Sequence, residues 1–445
     1  QGDNGQTLTV GGMTPSGAPA TNALTQMVLR VARDVSMIDP KVNLRITAGT
    51  DLDLLSLATE LTKKGLGFPQ YSNDDVVIPA LLAHGYAPED ARNYTVAACW
   101  EFIIPGKGME VVNIGALSFP AAADEALRWG LAQGADWDAV MARVGVNIEQ
   151  QLGALVKSYS TLLLPPAPYY AVMFDGCLEH GRDLSTGLKY NGFGVHGAHA
   201  TNAADALAAA KSLVWEQHSV APGELLAALD ANYEGYESLQ KKLSEEAPKV
   251  GNNDPAADAL LAQLYESFAD ACDRIRDNGR GGRVRPGTGS AMYYVWLARG
   301  HEGMREPVVG ATAEGRKRGE FFAANLAPAQ NARVRGPISV LQSYSKINYR
   351  RIYNGGPITM ELSDAVFRSR ESLGQTALLI RAFAQTGCQQ LQLNTLSLET
   401  LLDAKAHPEL HKNLIVRVWG WSGYFCELAP EYQDHVIARH MYALA

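Results

Sequence analysis

The stretch that decides the fold is Ala97-Ala-Cys-Trp-Glu-Phe-Ile-Ile-Pro-Gly-Lys-Gly108. Cys99 and Glu101 stand two residues apart in it, so on an extended loop their side chains point the same way. The apolar neighbours would remove both from water, which raises the pKa of a carboxyl and suits a general acid or base. Desolvation also keeps a thiol neutral, which suits hydrogen-atom transfer better than thiolate nucleophilicity. A cysteine that only fills the core, beside a hydrogen-bonded loop carboxylate, explains the same pattern.

A second unusual stretch lies near the carboxyl end, at Ile415-Val-Arg-Val-Trp-Gly-Trp-Ser-Gly423. Its Gly420 is flanked by Trp419 and Trp421, and a glycine inside a strand marks a bend or a close backbone approach. A turn glycine between core aromatic residues is one interpretation. The other is chemical: an unpaired electron on a glycine α-carbon is shared between the amide nitrogen and the carbonyl without steric twisting. The second interpretation makes Gly420 a candidate site of radical chemistry.

Composition excludes several classes of protein. The chain has 445 residues, of which 47% are hydrophobic and 19% charged, so it can bury a sizeable core and is not disordered in bulk. A net charge of −8 without a Lys/Arg-rich run argues against nucleic acid or an anionic membrane as a partner. No apolar run is long enough to span a membrane. Five scattered cysteines without a Cys-x-x-Cys motif predict neither a disulfide framework nor a structural zinc site, but a reduced, cytoplasmic protein.

Hydrophobic periodicity predicts a mixed α/β chain. The segments expected to be helical are 21–37, 51–64, 75–85, 88–93, 371–386 and 398–405, with Thr21 or Asn22 and Ser397 as caps. The segments expected to be extended are 6–10, 42–47, 338–344, 357–362, 390–394 and part of 413–424. The segment 94–116 is expected to be a loop. The region from 118 to 280 is expected to be helical, with loops at 163–175 and 183–200. Its most charged part, 236–277, is expected to be a solvated helix pair.

Taken together, Cys99-Trp-Glu101 and Arg417-Val-Trp-Gly420-Trp-Ser resemble the thiyl loop and the glycyl-radical loop of the glycyl radical enzymes, the superfamily of pyruvate formate-lyase and glycerol dehydratase. Segments that resemble the family in the same order are 67–79, 89–94, 176–205, 310–316, 389–394 and 399–404, so the similarity covers essentially the whole chain. The resemblance implies an α/β fold, the second half of a glycyl-radical-enzyme barrel surrounded by helices, with finger loops carrying Cys99 and Gly420.

The same resemblance implies two regions. Residues 1–405 would form a half-barrel catalytic region with the thiyl loop at about 94–116, and residues 406–445 would form a C-terminal glycyl radical domain.

The resemblance also implies a mechanism. A separate radical-SAM activating enzyme would take a hydrogen atom from Gly420, and the glycyl radical would take one from Cys99. The thiyl would then abstract hydrogen from a substrate carbon and return it to the product. No metal or bound cofactor is expected in the chain itself. Holding Gly420, Cys99 and the substrate in near contact is the main requirement for such a reaction.

The branch of the family is indicated by the residues around the cysteine. Trp100 stands where formate-lyase-like acyl transfer would need a second cysteine, which favours a lyase or dehydratase acting on a small hydroxylated substrate, with Glu101 as the base. A decarboxylase would use the same Cys-x-Glu pair, and acyl transfer remains a third alternative. A non-catalytic or incomplete subunit is the alternative from another class.

Other positions are candidates for substrate contact. Asn113 takes the place of a family Asp, or Glu110 does if the loop is realigned. His196 and His199 lie in a glycine-rich segment that matches a family region near the active site, although ordinary loop histidines explain them too. Three arginines are candidates for holding an anionic group of the substrate, with structural ion pairs as the default interpretation: Arg45, Arg283 and Arg285. Arg417 is expected to brace the radical loop. Cys388 is expected to have a packing role.

Family members are usually much longer than this chain, which resembles only their later half. An open half-barrel would expose a sheet edge and apolar surface. The expectation is therefore that an N-terminal half supplied as another polypeptide, or a homodimer, completes the barrel, or that the sequence in hand is truncated.

Overall fold

The computed structural model describes residues 6–108, 111–304, 307–330, 332–367, 369–439 and 441–442. The strands in these ranges are β1 Thr7–Gly11, β2 Lys41–Ile46, β3 Gln70–Asn73, β4 Thr95–Ala97, β5 Glu101–Ile103, β6 Ala116–Ser118, β7 Phe193–Ala198, β8 Val284–Gly287, β9 Ile358–Ser363, β10 Gln390–Leu396, β11 Ile415–Arg417, β12 Ser422–Tyr424 and β13 Met441–Tyr442. The first group of α-helices is α1 Ala23–Val35, α2 Leu52–Thr62, α3 Asp74–Ala83, α4 Pro88–Arg92, α5 Phe119–Gln133, α6 Trp137–Ser160, α7 Pro168–Ala171, α8 Cys177–His180 and α9 Leu184–Gly187. The second is α10 Ala200–Ala210, α11 Pro222–Asp230, α12 Glu237–Glu245, α13 Pro255–Arg274, α14 Tyr293–Arg299, α15 Pro337–Tyr344, α16 Arg370–Gln385, α17 Leu398–Ala406 and α18 Pro430–Ile437.

The main sheet has six strands in the order β1-β2-β3-β10-β9-β13, parallel except where β3 meets β10. Its two faces differ in chemistry although both are buried. On β2, Val42, Leu44 and Ile46 belong to the largest apolar core, to which α1, α2 and α16 also contribute buried side chains. The alternate residues of the same strand are polar, because successive side chains of a strand point to opposite faces. One face of the sheet therefore packs on helices and the other presents polar groups.

The polar face continues across the neighbouring strands. Its fully buried members include Lys41, Gln70, Gln390 and Gln392. Buried polar groups cost free energy unless they are hydrogen-bonded. Their partners here are the turns of two β-hairpins, β4–β5 and β11–β12, so the polar face serves to hold those turns.

A second, parallel sheet, β6-β7-β8, lies against a helical layer that includes α5, α6, α10 and α13. Strand β7 falls inside 183–200, where the glycine-rich sequence predicted a loop; that prediction was wrong for 193–198. Two of its glycines are needed for packing. A Cβ on Gly194 would overlap the Val112 carbonyl oxygen, and one on Gly197 would overlap the ring of Phe119. Glycine therefore marks close approach in a strand here.

Three further predictions need correction. Residues 337–344 form helix α15 instead of a strand: Pro337 occupies its first turn, and Val340, Leu341 and Tyr344 are buried at helical spacing. The charged segment 236–277 is not a solvated pair, since α13 buries ten residues. The loop predicted at 94–116 contains the β4–β5 hairpin.

Other local predictions are confirmed. Asn22 caps α1, with its side-chain oxygen accepting from the Leu24 and Thr25 N–H groups at 2.9 and 3.1 Å. Ser397 caps α17 by accepting from the Thr400 N–H at 3.2 Å. The strands predicted at 357–362 and 390–394 correspond to β9 and β10. The mixed α/β class predicted from periodicity is also confirmed.

The edge of the main sheet beside α1 is apolar and exposed. Strand β1 is the end strand of the sheet, and α1 turns Leu24, Met27, Val31 and Val35 towards solvent, each more than half exposed. None of the helices in the described ranges is both long and apolar enough to cross a bilayer.

Candidate active site

The turns of the two hairpins meet in the interior of the molecule. Cys99 lies in the turn between β4 and β5, which is closed by the Ala97–Glu101 pair, and it is half-buried. Gly420 lies in the turn between β11 and β12, where the Val418 N–H donates to the Trp421 carbonyl at 3.0 Å. A Cβ built on Gly420 would overlap the Cβ of Cys99 and stand 2.6 Å from its Sγ. Since a carbon–carbon bond measures about 1.5 Å, the Gly420 α-carbon lies within about 4 Å of the sulfur.

The contact requires a residue without a side chain at position 420. The Gly420 carbonyl accepts two charge-assisted hydrogen bonds, from Arg417 Nη2 at 2.7 Å and from Lys41 Nζ at 3.0 Å. These bonds fix the orientation of the peptide that carries the α-carbon. The α-carbon is thereby held towards the thiol.

The cysteine turn is held in the same way through its carbonyls. Lys41 Nζ donates to the Ala98 carbonyl, Gln70 Nε2 to the Cys99 carbonyl at 3.3 Å, and Gln390 Nε2 to the Trp100 carbonyl at 3.0 Å. Three successive carbonyls of a tight turn are thus bound by side chains of the sheet, and none of these bonds depends on the identity of the turn side chains. The sheet therefore positions the backbone of the turn that carries the thiol.

The glycine turn is braced by two arginines. Arg417 also donates to Ser422 Oγ at 3.0 Å and to Gln392 Oε1 at 3.3 Å. Arg439 pairs with Glu361 at 3.1 Å and donates to the carbonyls of Arg417 and Val418. The geometry agrees with the bracing role proposed for Arg417 and adds Arg439 to it.

Glu101 lies against the backbone of the cysteine turn and is fully buried. Its Oε2 accepts from the Cys99 N–H at 3.1 Å and from the Trp100 N–H at 2.8 Å, and its Oε1 contacts His196 Nε2 at 3.0 Å. The carboxylate therefore folds back under the turn, a hairpin arrangement different from the extended loop expected from sequence. Trp100 beside it packs into an apolar cluster with Tyr294 and Trp419.

The electrostatics of Glu101 differ from the sequence expectation. Burial by itself raises the pKa of the carboxyl, but the hydrogen bonds from His196 and from the Trp100 N–H outweigh it, and the pKa lies below its ordinary value. Glu101 is therefore ionised at neutral pH. It can accept a proton there, and it is not a proton donor.

His196 fixes that carboxylate in place. The Gly289 N–H donates to His196 Nδ1 at 2.9 Å, so Nδ1 is the acceptor and Nε2 carries the hydrogen that is donated to Glu101 Oε1. The ring is fully buried and both nitrogens have partners in the chain. The contacts favour positioning of Glu101 as the role of His196.

The low pKa of Glu101 predicts a pH dependence of stability. A depressed pKa contributes stability that is complete above the unfolded-state value of about 4.3 and is lost as pH falls through the folded-state value. We expect the difference in unfolding free energy between the wild type and Glu101→Gln to be constant from pH 8 to 6 and to shrink below pH 4. Urea unfolding at several pH values measures it. A difference that grows on acidification would contradict the ionised, hydrogen-bonded state of Glu101.

The remaining sequence candidates are spread around this centre. Asn113 lies on the loop entering β6, and its side-chain oxygen accepts from the Gly115 N–H at 3.0 Å. Glu110 lies outside the described residues. His199 is buried, stacks on Phe322, and its Nδ1 contacts the Ala323 carbonyl at 2.8 Å; burial lowers its pKa to about 4. Among the described residues, His199 thus contacts Phe322 and Ala323, and not Cys99 or Glu101.

The arginines proposed for anion binding have structural partners or lie at the surface. Arg45 forms a two-point ion pair with Asp74 at 2.8 and 2.9 Å. Arg285 is buried and donates to the Phe102 carbonyl at 2.8 Å, whereas Arg283 is exposed. Cys388 is buried in the core, in line with the packing role expected. The described residues contain no group of three or more His, Cys, Asp or Glu side chains suited to hold a metal ion.

Sequence reasoning missed the residues that hold the two turns: Lys41, Gln70, Gln390 and Arg439. A signal for most of them was present. The segments Lys41-Val-Asn-Leu-Arg-Ile46 and Gln390-Leu-Gln-Leu-Asn394 alternate polar and apolar residues, which indicates a strand with two different faces. That the polar face is buried against loops cannot be read from the alternation alone.

Comparison with known proteins identifies this arrangement. A family model described as pyruvate formate lyase-like matches residues 1–298, and one described as glycine radical matches residues 322–426, which implies a post-translational glycyl radical. A probable dehydratase of Escherichia coli is 29% identical, with 98% of this chain and 57% of the relative covered. The (2S)-3-sulfopropanediol dehydratase of Klebsiella oxytoca is 28% identical, with 99% and 55% covered.

Among solved structures, the glycerol-bound B12-independent glycerol dehydratase from Clostridium butyricum superposes with a TM-score of 0.92 at 28% identity, covering 99% of this chain and 57% of that one. The chain thus spans a little more than half the length of the relatives it matches. The expected glycyl-radical-enzyme fold, with finger loops at Cys99 and Gly420, is confirmed. The chain belongs to the pyruvate formate lyase-like family of glycyl radical enzymes.

Proposed function

We propose that the protein is a radical lyase or dehydratase that removes a neighbouring group from a small hydroxylated substrate. The observation that carries the proposal is the meeting of the Gly420 α-carbon, the Cys99 thiol and the buried Glu101 carboxylate in one place. Relatives named as dehydratases support the same reaction class. The substrate itself is proposed only as a class: a compound with a hydroxyl group beside the carbon that loses hydrogen.

In this proposal, hydrogen atoms move along a short path. A radical-SAM activating enzyme removes one hydrogen from the Gly420 α-carbon. Cys99 then gives its thiol hydrogen to Gly420, and its sulfur takes hydrogen from the substrate carbon. After the elimination the product recovers hydrogen from Cys99. The contact of Sγ with the α-carbon supports the transfer of hydrogen from Cys99 to Gly420, since reactions between groups held in near contact avoid most of the entropic cost.

Glu101 supplies the acid–base part of the reaction. Its ionised carboxylate would accept the proton of the hydroxyl on the radical carbon, and the resulting ketyl-like radical would expel the neighbouring group. His196 holds Oε1 while the N–H groups of Cys99 and Trp100 hold Oε2, so the base is presented in one orientation.

Elimination is favoured over the two other family reactions. Acyl transfer would need a second thiol beside Cys99, where the buried indole of Trp100 stands. Decarboxylation would place a substrate carboxylate next to the ionised Glu101, and two negative charges at close range in a buried site repel each other. Acyl transfer therefore lacks the thiol that it needs, and decarboxylation would bring two like charges together.

Further partners belong to the same proposal. The activating enzyme is a radical-SAM protein, and the exposed apolar side of α1 beside the edge strand β1 is where a further half-barrel polypeptide or a second copy would pack. The division of the chain at residue 405 and the cytoplasmic location remain predictions.

The reaction class is tested with Glu101→Gln. The purified protein is activated anaerobically with its radical-SAM activase and offered a panel of small diols and hydroxysulfonates. We expect turnover of the wild type, and in Glu101→Gln a loss of about 10²- to 10⁴-fold with the glycyl radical signal retained, because only the proton acceptor is removed. Product aldehyde or sulfite is measured.

Glu314→Gln is the matched control. Glu314 is equally buried and accepts a hydrogen bond at 3.1 Å from Asn202 Nδ2, a partner outside the cysteine turn. It should retain turnover. Full activity in Glu101→Gln would discard the role of Glu101, and consumption of arylacetates in place of the hydroxylated panel would replace elimination by decarboxylation.

A further inference from the structure

Lys41 joins the two hairpin turns. It is the first residue of β2, it is 1% exposed, and its Nζ donates both to the Gly420 carbonyl at 3.0 Å and to the Ala98 carbonyl. These carbonyls belong to different hairpins, and Ala98 and Gly420 are separated by more than three hundred residues of sequence. A single ammonium group therefore bridges the backbone that carries the thiol and the backbone that carries the α-carbon.

An ammonium group is suited to this position. It is a compact charge with three donors that rotate about a flexible stem, so it can satisfy acceptors that arrive from different directions. The neutral side chains of Gln70 on β3 and Gln390 on β10 each bind one carbonyl of the cysteine turn. Arg417 binds the Gly420 carbonyl from within the glycine turn. The ammonium group of Lys41 bonds to carbonyls of both turns.

We propose that Lys41 is a positioning residue that sets the register between the two hairpins and polarises the Gly420 carbonyl, and thereby controls hydrogen transfer between Cys99 and Gly420. The inference rests on the proposed roles of those two residues. In the transfer the S–H bond of Cys99 breaks and a C–H bond forms at Gly420, while the unpaired electron passes from carbon to sulfur. The step is neutral and needs no external proton, oxidant or reductant.

Two measurable effects follow from this role. The first is the distance between the Cys99 sulfur and the Gly420 α-carbon. Without the bridge, Lys41 no longer ties the two turns to each other, and a displacement of about 1 Å lowers the rate of a contact reaction by about a hundredfold. The second is spin distribution. Hydrogen bonds from Lys41 and Arg417 strengthen the carbonyl as an electron acceptor, so removing one donor leaves more unpaired spin on the α-carbon.

Deuterium exchange of the glycyl radical measures both effects. In D2O the half-buried Cys99 thiol becomes S–D, and repeated transfer replaces the remaining α-hydrogen of Gly420 by deuterium. The electron-spin doublet then collapses to a narrow single line. We expect Lys41→Met to form the doublet, with a larger splitting than the wild type, and to collapse about a hundredfold more slowly, whereas Lys41→Arg, which keeps the charge, should collapse within about tenfold of the wild type.

Matched variants separate this role from simple core stability. Lys249 is also buried, 5% exposed, and donates to the Leu243 carbonyl at 2.8 Å in the helical region. Lys249→Met should lower the melting temperature without changing splitting or collapse rate. Lys41→Leu repeats the test with a second side chain that cannot donate, should the methionine variant not fold.

The outcomes separate this proposal from the proposed function. A wild-type doublet that collapses, with the same rate and splitting in folded Lys41→Met or Lys41→Leu, overturns the role of Lys41 alone. A wild type that forms no doublet overturns the proposed function and this inference with it. Slow collapse in Lys249→Met as well would assign the effect to loss of stability and would also overturn the inference.

Discussion

Replacing Gly420 with alanine is expected to abolish both the glycyl radical and turnover. An alanine Cβ would overlap the Cβ of Cys99, so the two turns could not remain in contact. A side chain on the α-carbon would also twist the peptide planes over which the unpaired electron is shared. Because the whole reaction depends on this radical, we expect turnover to fall by at least about 10⁶-fold, the lower end of enzymatic rate enhancements.

Electron-spin spectroscopy after anaerobic activation measures the radical, and product formation measures turnover. Gly374→Ala is the control, since Gly374 lies in helix α16 and a Cβ there meets no atom within 4 Å. It adds the same methyl group in open space and should retain signal and activity. A normal doublet in Gly420→Ala would show that the radical resides elsewhere.

Replacing Cys99 with alanine is expected to separate the radical from catalysis. Gly420 and the bonds to its carbonyl from Arg417 and Lys41 remain, so the radical still forms. Without the sulfur, the hydrogen donor that contacts the Gly420 α-carbon is lost. Turnover should therefore fall by at least about 10⁶-fold while the doublet keeps its amplitude.

Cys426→Ala is the matched control, because Cys426 is also half-buried and its Sγ donates to backbone carbonyls of Ala404 and His411. It should retain both radical and turnover. Activity that survives in Cys99→Ala but falls in Cys426→Ala would transfer the thiyl role to the other cysteine.

The two turns could be predicted from the sequence because their proposed chemistry depends on the residue types that stand in them. Cys99, Glu101 and Gly420 are unusual in their local context, and each one restricts what its loop can do. The family resemblance then placed them in one site. The fold class could be predicted because the family resemblance extends along nearly the whole chain.

Apart from Arg417, the residues that hold the turns were not predicted, because their partners are backbone carbonyls. A lysine at the start of a strand is normally exposed, and nothing in the sequence around Lys41 indicates that its ammonium reaches Ala98 and Gly420. The pKa of Glu101 was predicted in the wrong direction for a similar reason. Burial was inferred from apolar neighbours, but the bonds from His196 and the Trp100 N–H, which outweigh burial, come from the tertiary structure.

The mistaken secondary-structure predictions also have tertiary causes. The segment 338–344 alternates weakly, yet Pro337 begins a helix whose buried residues are three and four apart. In β7, Gly194 and Gly197 were taken as loop formers, but the strand needs them because the Val112 carbonyl and the Phe119 ring lie where side chains would be. Both cases depend on neighbours that are remote in sequence.

The central claim is that hydrogen passes between the sulfur of Cys99 and the α-carbon of Gly420. The most direct measurement compares the electron-spin spectrum of the activated protein in H2O and in D2O, for the wild type and for Cys99→Ala. The account predicts a doublet in H2O that collapses to a single line in D2O in the wild type and stays a doublet in Cys99→Ala. A wild-type doublet that persists in D2O, or a collapse that occurs without Cys99, would contradict it.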